Sequence, residues 1–289
     1  MSDSPALLLI GHGSRSERGV AQFFELAELV RAAAPHLLVV SGLIEHARPS
    51  LDEAVTQAAE SDAGAESGVV AVPLVLLPAG HLKDDGPAAL ARGRSRFPAV
   101  GFRYARHLGV HPLVLAAIEE RCRAALLNLG ERAGPATIVL VGRGSTDPDA
   151  NSDLYKAARL LADRRSIGGD PVLDEVQPAF VSLARPSVPE ALDRARRLGA
   201  ERIAVVPYFL FTGILLDRIG REARSWAAGE GVPVALGEEI GPDGRLVELV
   251  LERFEEASGA VPPMNCDGCI YRLALPGYEE RVGRPPSSS

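Results

Sequence analysis

Two kinds of hydrophobic pattern alternate along the chain. Short aliphatic runs at residues 6–10, 37–44, 69–76 and 100–104 are bounded by glycine, proline and polar residues. Runs of that length, apolar throughout, suit strands buried on both faces, as in a parallel sheet. Residues 19–33, 51–63, 86–96 and 112–128 instead space their apolar positions at helical intervals. The second half repeats the order, with strands predicted at 136–141, 173–181, 202–206 and 233–236. This alternation predicts an α/β fold made of two tandem domains, each a mainly parallel four-stranded sheet flanked by helices.

The repetition extends to residues. Leu7-Leu8-Leu9-Ile10-Gly11-His12-Gly13-Ser14 returns as Ile138-Val139-Leu140-Val141-Gly142-Arg143-Gly144-Ser145, and Ala47-Arg48-Pro49-Ser50 as Ala184-Arg185-Pro186-Ser187. Val72-Pro73-Leu74 and Gly80-His81 correspond to Val206-Pro207-Tyr208 and Gly213-Ile214. Ser50-Leu51-Asp52-Glu53 and Ser187-Val188-Pro189-Glu190 are both S-x-x-E capping boxes opening the equivalent helix. The chain is an internal duplication, with domains expected at 1–130 and 131–258. A tail, 259–289, has no counterpart in the first copy, and its Pro- and Ser-rich end reads as disordered.

Composition narrows the class. At 289 residues and 46% hydrophobic, the chain can build two cores. Its net charge of −7 argues against nucleic acid or an anionic membrane as partner. Lys83 and Lys156 are the only lysines, so an anionic ligand would meet mainly guanidinium groups. The start lacks a basic targeting region, and the longest apolar stretch, near 69–79, is too short and proline-broken to span a bilayer. A soluble cytoplasmic protein is expected. The three cysteines fit no even disulfide framework: Cys122 stands alone, and Cys266 and Cys269 are a close pair in the tail.

All six histidines lie in the first copy. His12 follows the first predicted strand, Glu45 closes the second, and His81 follows the third. In a parallel sheet these strand ends share one edge, where open α/β folds place ligands. Two imidazoles and a carboxylate suit a divalent transition metal with open coordination positions. The second copy has Arg143, Ser182 and Ile214 at these places, a joint loss that one shared function predicts. The remaining histidines read as non-ligands: His36 in a loop, His107 and His111 flanking a loop, and His46 pointing away from Glu45 if the strand persists. Asp84 and Asp85 read as caps of the helix after His81. The Gly-His-Gly-Ser turn lacks the spacing and lysine of a phosphate-binding P-loop. It also lacks the arginine that precedes the histidine of phosphohistidine phosphatases. Its glycines suit a tight turn open to a large ligand.

Together, Leu9-Ile10-Gly11-His12-Gly13-Ser14-Arg15, the segment from Glu45 to Ser50 and Pro73-Leu74 with Gly80-His81 resemble the ATP-independent sirohydrochlorin chelatases, and most closely their long, two-domain cobaltochelatase form. The resemblance implies two chelatase-type domains facing a central cleft, and insertion of Co²⁺, or Fe²⁺ as in sister enzymes, into sirohydrochlorin. It assigns metal binding to His12 and His81 and an acidic role, as ligand or proton acceptor, to Glu45. The substrate is polycarboxylated, so Arg15, Arg48 and Arg143 become candidate clamps. The tail's Met264-Asn265-Cys266-Asp267-Gly268-Cys269 resembles the M-x-C-x-x-C motif associated with a [4Fe–4S] cluster. Two cysteines fill only half of such a site. Two tails meeting in a homodimer, other ligands, a redox dithiol or half a zinc site all remain open. A metal or tetrapyrrole carrier without turnover is the competing reading, and a duplication serving only assembly a third. Glu45 beside the histidines favours catalysis, since delivery alone needs no proton acceptor. Ligand type does not choose among cobalt, iron and nickel.

Overall fold

The computed structural model describes residues 4–130, 136–168 and 175–259, with residues 81–82 and 163–168 described by their backbone. The first half runs β1 (Ala6–Gly11), α1 (Glu17–Ala33), β2 (Val39–Leu43), α2 (Leu51–Glu60), α3 (Asp62–Ser67), β3 (Val69–Pro73), α4 (Gly80–Lys83), α5 (Asp85–Arg96), β4 (Phe102–Tyr104) and α6 (Pro112–Leu127). The second runs β5 (Ala136–Gly142), α7 (Pro148–Gly168), β6 (Glu175–Phe180), α8 (Val188–Arg197), β7 (Arg202–Pro207), α9 (Ile214–Glu230), β8 (Val234–Leu236) and α10 (Gly244–Ser258). Both sheets are parallel and four-stranded, ordered β2-β1-β3-β4 and β6-β5-β7-β8. The fold class is as the hydrophobic pattern predicts.

Some boundaries differ for local reasons. The helix expected over 51–63 is two, because Ser61 interrupts it. The Ser61 hydroxyl donates to the Ala58 carbonyl at 2.7 Å and accepts from the Gly64 N–H at 3.0 Å, ending one helix and capping the next. At α2 the capping box is reciprocal, with Ser50 N–H donating to Glu53 at 2.7 Å and Glu53 N–H donating to Ser50 Oγ at 3.3 Å. At α8, Ser187 N–H donates to Glu190 at 2.8 Å. Asp84 stands at the N-cap of α5, but its side chain makes no cap hydrogen bond.

The strands are apolar throughout because both faces of each sheet are covered. Leu7 and Leu9 of β1 point to one side, and Ala6, Leu8 and Ile10 to the other. The outer side of the first sheet packs on α2 and α5. That of the second packs on α8 and α9. The inner sides meet a single central layer of α1, α6, α7 and α10, whose buried side chains form one core with both sheets.

Within that layer the halves exchange their last helices. α6 packs on β7 and β8 of the second sheet, while α10 packs on β3, β4 and α1 of the first. An arginine at the same place in each helix locks the exchange. Arg121 of α6 donates to the carbonyls of Glu239 (3.0 Å) and Ile240 (2.8 Å) in the loop after β8. Arg253 of α10 donates to the His107 carbonyl, in the equivalent loop after β4, at 3.2 Å. Arg253 is buried, so its charge needs compensation. Glu252 and Glu256 supply it at 2.9 and 2.8 Å, and Glu256 also pairs with Arg106. Among the described residues no helix is long and apolar enough to cross a membrane.

The shared core predicts that the halves unfold together. Leu7 is fully buried in it, and Leu7→Ala is expected to cost about 2–5 kcal/mol. Trp226, the one tryptophan, lies in α9 of the other half. Its fluorescence midpoint in urea should fall with the circular dichroism midpoint; an unmoved Trp226 midpoint would mean independent halves.

A second expectation concerns acid. Burial, with Arg253, Arg106 and Lys83 nearby, lowers the His107 pKa from 6.5 to about 4. The unfolded chain therefore binds the extra proton first. The stability from neutral His107 is complete above pH 6.5 and is lost as pH falls towards 4, at a cost of roughly 3 kcal/mol. Urea titrations across that window should show the loss, and His107→Gln should flatten it.

Candidate metal centre

The candidate residues sit on loops that continue the β1–β2 ladder past the strands. Ile44 N–H donates to the Gly11 carbonyl and Glu45 N–H to the His12 carbonyl, both at 3.0 Å. His12 and Glu45 are thereby held side by side, directly beyond β1 and β2. Gly13 has φ 93°, and a Cβ there would lie 1.8 Å from the Glu45 carbonyl oxygen. Only glycine permits so close a crossing. The motif's second glycine is thus explained by the backbone of Glu45.

The side chains follow from this clamp. His12 Nδ1 lies 3.3 Å from Glu45 Oε1, and His46 Nε2 lies 3.2 Å from the same oxygen. All three side chains are about one-third exposed. The placement of His46 corrects an expectation. β2 stops at Leu43, so the alternation that would send His46 to the opposite face does not apply. His46 has φ 65°, a left-handed conformation in which histidine is enriched. The chain turns there, with Ala47 N–H donating to the Glu45 carbonyl at 2.9 Å. The Ala47-Arg48-Pro49-Ser50 segment after Glu45 was the available signal that the strand had already ended.

His81 stands in the short helix α4, beyond the end of β3. Leu74 N–H donates to the Ile10 carbonyl at 2.8 Å, so this segment leaves the sheet beside the His12 loop. The His81 side chain lies outside the described residues, as do Cys266 and Cys269. Among the described residues, no three His, Cys, Asp or Glu side chains converge as a ready metal-ligand set. His12 and Glu45 are the expected ligands brought into contact.

The second half repeats the scaffold with other side chains. Ser182 N–H donates to the Arg143 carbonyl at 2.9 Å, and a Cβ on Gly144 would lie 1.8 Å from the Ser182 carbonyl oxygen. Arg143 thus projects from the turn that carries His12. Beside it, at the places of His46 and His81, are Leu183 and Ile214, 70% and 60% exposed. This half thus has a cation and two exposed apolar side chains where the first has three histidines.

The two edges meet across a seam. Arg143 Nη1 is 3.2 Å from His12 Nε2. Lys83, at the end of α4, pairs with Asp147 at 2.7 Å and Asp149 at 3.1 Å on the β5–α7 loop. Burial opposes the Lys83 charge, but the bonds to Asp147 and Asp149 prevail and raise its pKa. The two other candidate arginines take no part in this contact. Arg15 is exposed in the β1–α1 loop. Arg48 is 85% exposed and bonded to Glu53 at 2.8 Å.

This doubled scaffold has known counterparts. A family model described as CbiX matches residues 6–125 and again 137–257. The chain is 33% identical to the sirohydrochlorin cobaltochelatase of Priestia megaterium, over 93% of this chain and 85% of that protein. It is 28% identical to the sirohydrochlorin ferrochelatase of Bacillus subtilis (strain 168), over 93% of this chain and 98% of that one. Among solved structures it superimposes on SirB from Bacillus subtilis with Fe³⁺ at a TM-score of 0.73 and 28% identity, covering 92% of this chain and 98% of that chain. Two copies of one domain, back to back and matched along almost their whole length, make this chain a member of the CbiX family.

Proposed function

We propose that the protein is an ATP-independent sirohydrochlorin chelatase that inserts Co²⁺ at the seam between its halves. The observation that carries this reading is the His12–Glu45 pair, held at 3.3 Å by a backbone crossing only glycine allows, in a chain whose relatives insert metals into that macrocycle. The reading for cobalt leans on the 33% identity to a cobaltochelatase, a narrow lead over the 30% and 28% to two ferrochelatases. Iron is the second reading.

Insertion exchanges two pyrrole N–H protons for one divalent ion. The ion must be held while it sheds water, and each proton needs an acceptor. His12 Nε2 is the proposed ligand on the first edge, with His81 joining it from α4, and Glu45, beside Nδ1, is the proposed proton acceptor. A neutral imidazole binds the ion without trapping it, since no full charge is neutralised. Glu45 Oε1 lies between His12 Nδ1 and His46 Nε2. A proton received by Glu45 can therefore pass to His46, which is one-third exposed, and on to water. On the second edge, Arg143 is proposed to bind a substrate carboxylate. Leu183 and Ile214 offer apolar surface to the planar ring. Arg15 and Arg48 would reach carboxylates only at the periphery.

The test is an anaerobic, ATP-free assay that follows the absorption of sirohydrochlorin with Co²⁺ or Fe²⁺. Insertion faster than the uncatalysed reaction is expected, with Co²⁺ the better ion. Glu45→Gln should slow it by about 10²–10⁴-fold, and His12→Ala and His81→Ala by at least about 100-fold. Tight binding of metal or tetrapyrrole without acceleration would establish a carrier instead.

The proposed insertion uses nothing from the tail. A variant carrying both Cys266→Ser and Cys269→Ser should keep the wild-type rate even if it loses a cluster detectable by electron paramagnetic resonance. A rate that collapses with the cluster would place the tail in the reaction.

A further inference from the structure

We propose that Arg143 is the stopper of the metal position: without substrate its guanidinium occupies the lone pair of His12 Nε2, and the arriving macrocycle's carboxylates draw it off. This builds on the chelatase reading above. A guanidinium only donates hydrogen bonds and a carboxylate only accepts them. With Arg143 Nη1 at 3.2 Å from Nε2, the imidazole nitrogen is the acceptor of that contact. The proton is on Nδ1, and the Nε2 lone pair faces Arg143. That lone pair is the one a metal ion would take.

Two further observations agree. The backbone crossing at Gly144 aims Arg143 from the second edge as Gly13 aims His12 from the first, so the contact joins two anchored turns. Among the described residues Arg143 is paired with no carboxylate; its recorded partner is the imidazole. Both contacts have a charged donor, but a carboxylate adds the opposite full charge and can take two parallel N–H···O bonds from the guanidinium, where the imidazole takes one. A substrate carboxylate therefore outcompetes neutral His12 for the guanidinium. A divalent cation alone does not, because it must displace Arg143 against charge repulsion. The site then takes metal weakly until the macrocycle arrives. When the product leaves, Arg143 returns to Nε2 and hinders rebinding of the metal.

Co²⁺ titration of the full-length protein without tetrapyrrole, read by visible absorption and calorimetry, tests this. Arg143→Ala is expected to tighten Co²⁺ binding by about 3- to 10-fold, and Arg143→Met, which keeps the stem, should do the same. Arg92→Ala, which removes an exposed charge on α5, should leave affinity unchanged. Combining Arg143→Ala with His12→Ala should abolish the gain, because no lone pair remains to uncover. In the insertion assay Arg143→Ala should be slower, so binding and turnover move in opposite directions. Unchanged or weaker Co²⁺ binding in both Arg143 variants would overturn the stopper. A wild type that never accelerates insertion would overturn the chelatase reading while the titration still decides the role of Arg143.

Discussion

Arg121 and Arg253 each leave one repeat and close a loop of the other, and the juxtaposition of the two sheet edges depends on that reciprocal lock. Neither repeat covers the inner face of its own sheet unaided. α6 belongs by sequence to the first and packs on the second, and α10 does the reverse. A helix exchanged in this way cannot be withdrawn without exposing the inner face of a sheet whose strands are apolar throughout. Burial of that face is the dominant favourable term. The arginines add direction, since each satisfies backbone carbonyls that the crossing would otherwise strand. The consequence is that two strand-end edges, built to be equivalent, meet along a partly exposed seam, where Arg143 reaches His12.

Duplication followed by divergence then makes chemical sense. Two identical edges would present two identical ligand sets to one planar molecule. Here the scaffold stayed, down to the glycine crossings at Gly13 and Gly144, while the side chains parted. One edge carries His12, Glu45 and His46, groups that hold cations and move protons. The other carries Arg143, with exposed Leu183 and Ile214 at the places of His46 and His81. A macrocycle that exchanges protons for a metal at its centre, and has carboxylates around its rim, needs both. The Lys83 bridge to Asp147 and Asp149 fastens the short helix bearing His81 to the opposite half, keeping the edges in register where they meet.

Much of this was legible in the residues. The parallel sheets followed from uninterrupted aliphatic runs, because a strand covered on both faces has no polar side. The duplication was visible in matched segments and two capping boxes. The His12–Glu45 pairing followed from strand-end geometry alone. His46 was misread because period-2 reasoning holds only inside a strand, and the chain had already left β2 at Leu43. Arg48 is bonded to the capping glutamate of its own helix, the helix-end role that competes with a clamp at that position. The exchange of α6 and α10 was missed although its signal, Glu120-Arg121 and Glu252-Arg253 at matching places, stood in the sequence. Nothing in a periodicity says which sheet an amphipathic helix covers.

By itself, then, the sequence determined the elements, their doubling and the chemical types assembled at each strand end. These rest on local terms: propensity, alternation, capping and the short reach of a turn. Only the tertiary structure decided that the last helices are exchanged, that the edges meet, and that Arg143 reaches His12. Those outcomes depend on how apolar faces from distant segments find cover. Many pairings of such faces bury similar area, and three-dimensional packing together with the satisfaction of a few buried carbonyls selects among them.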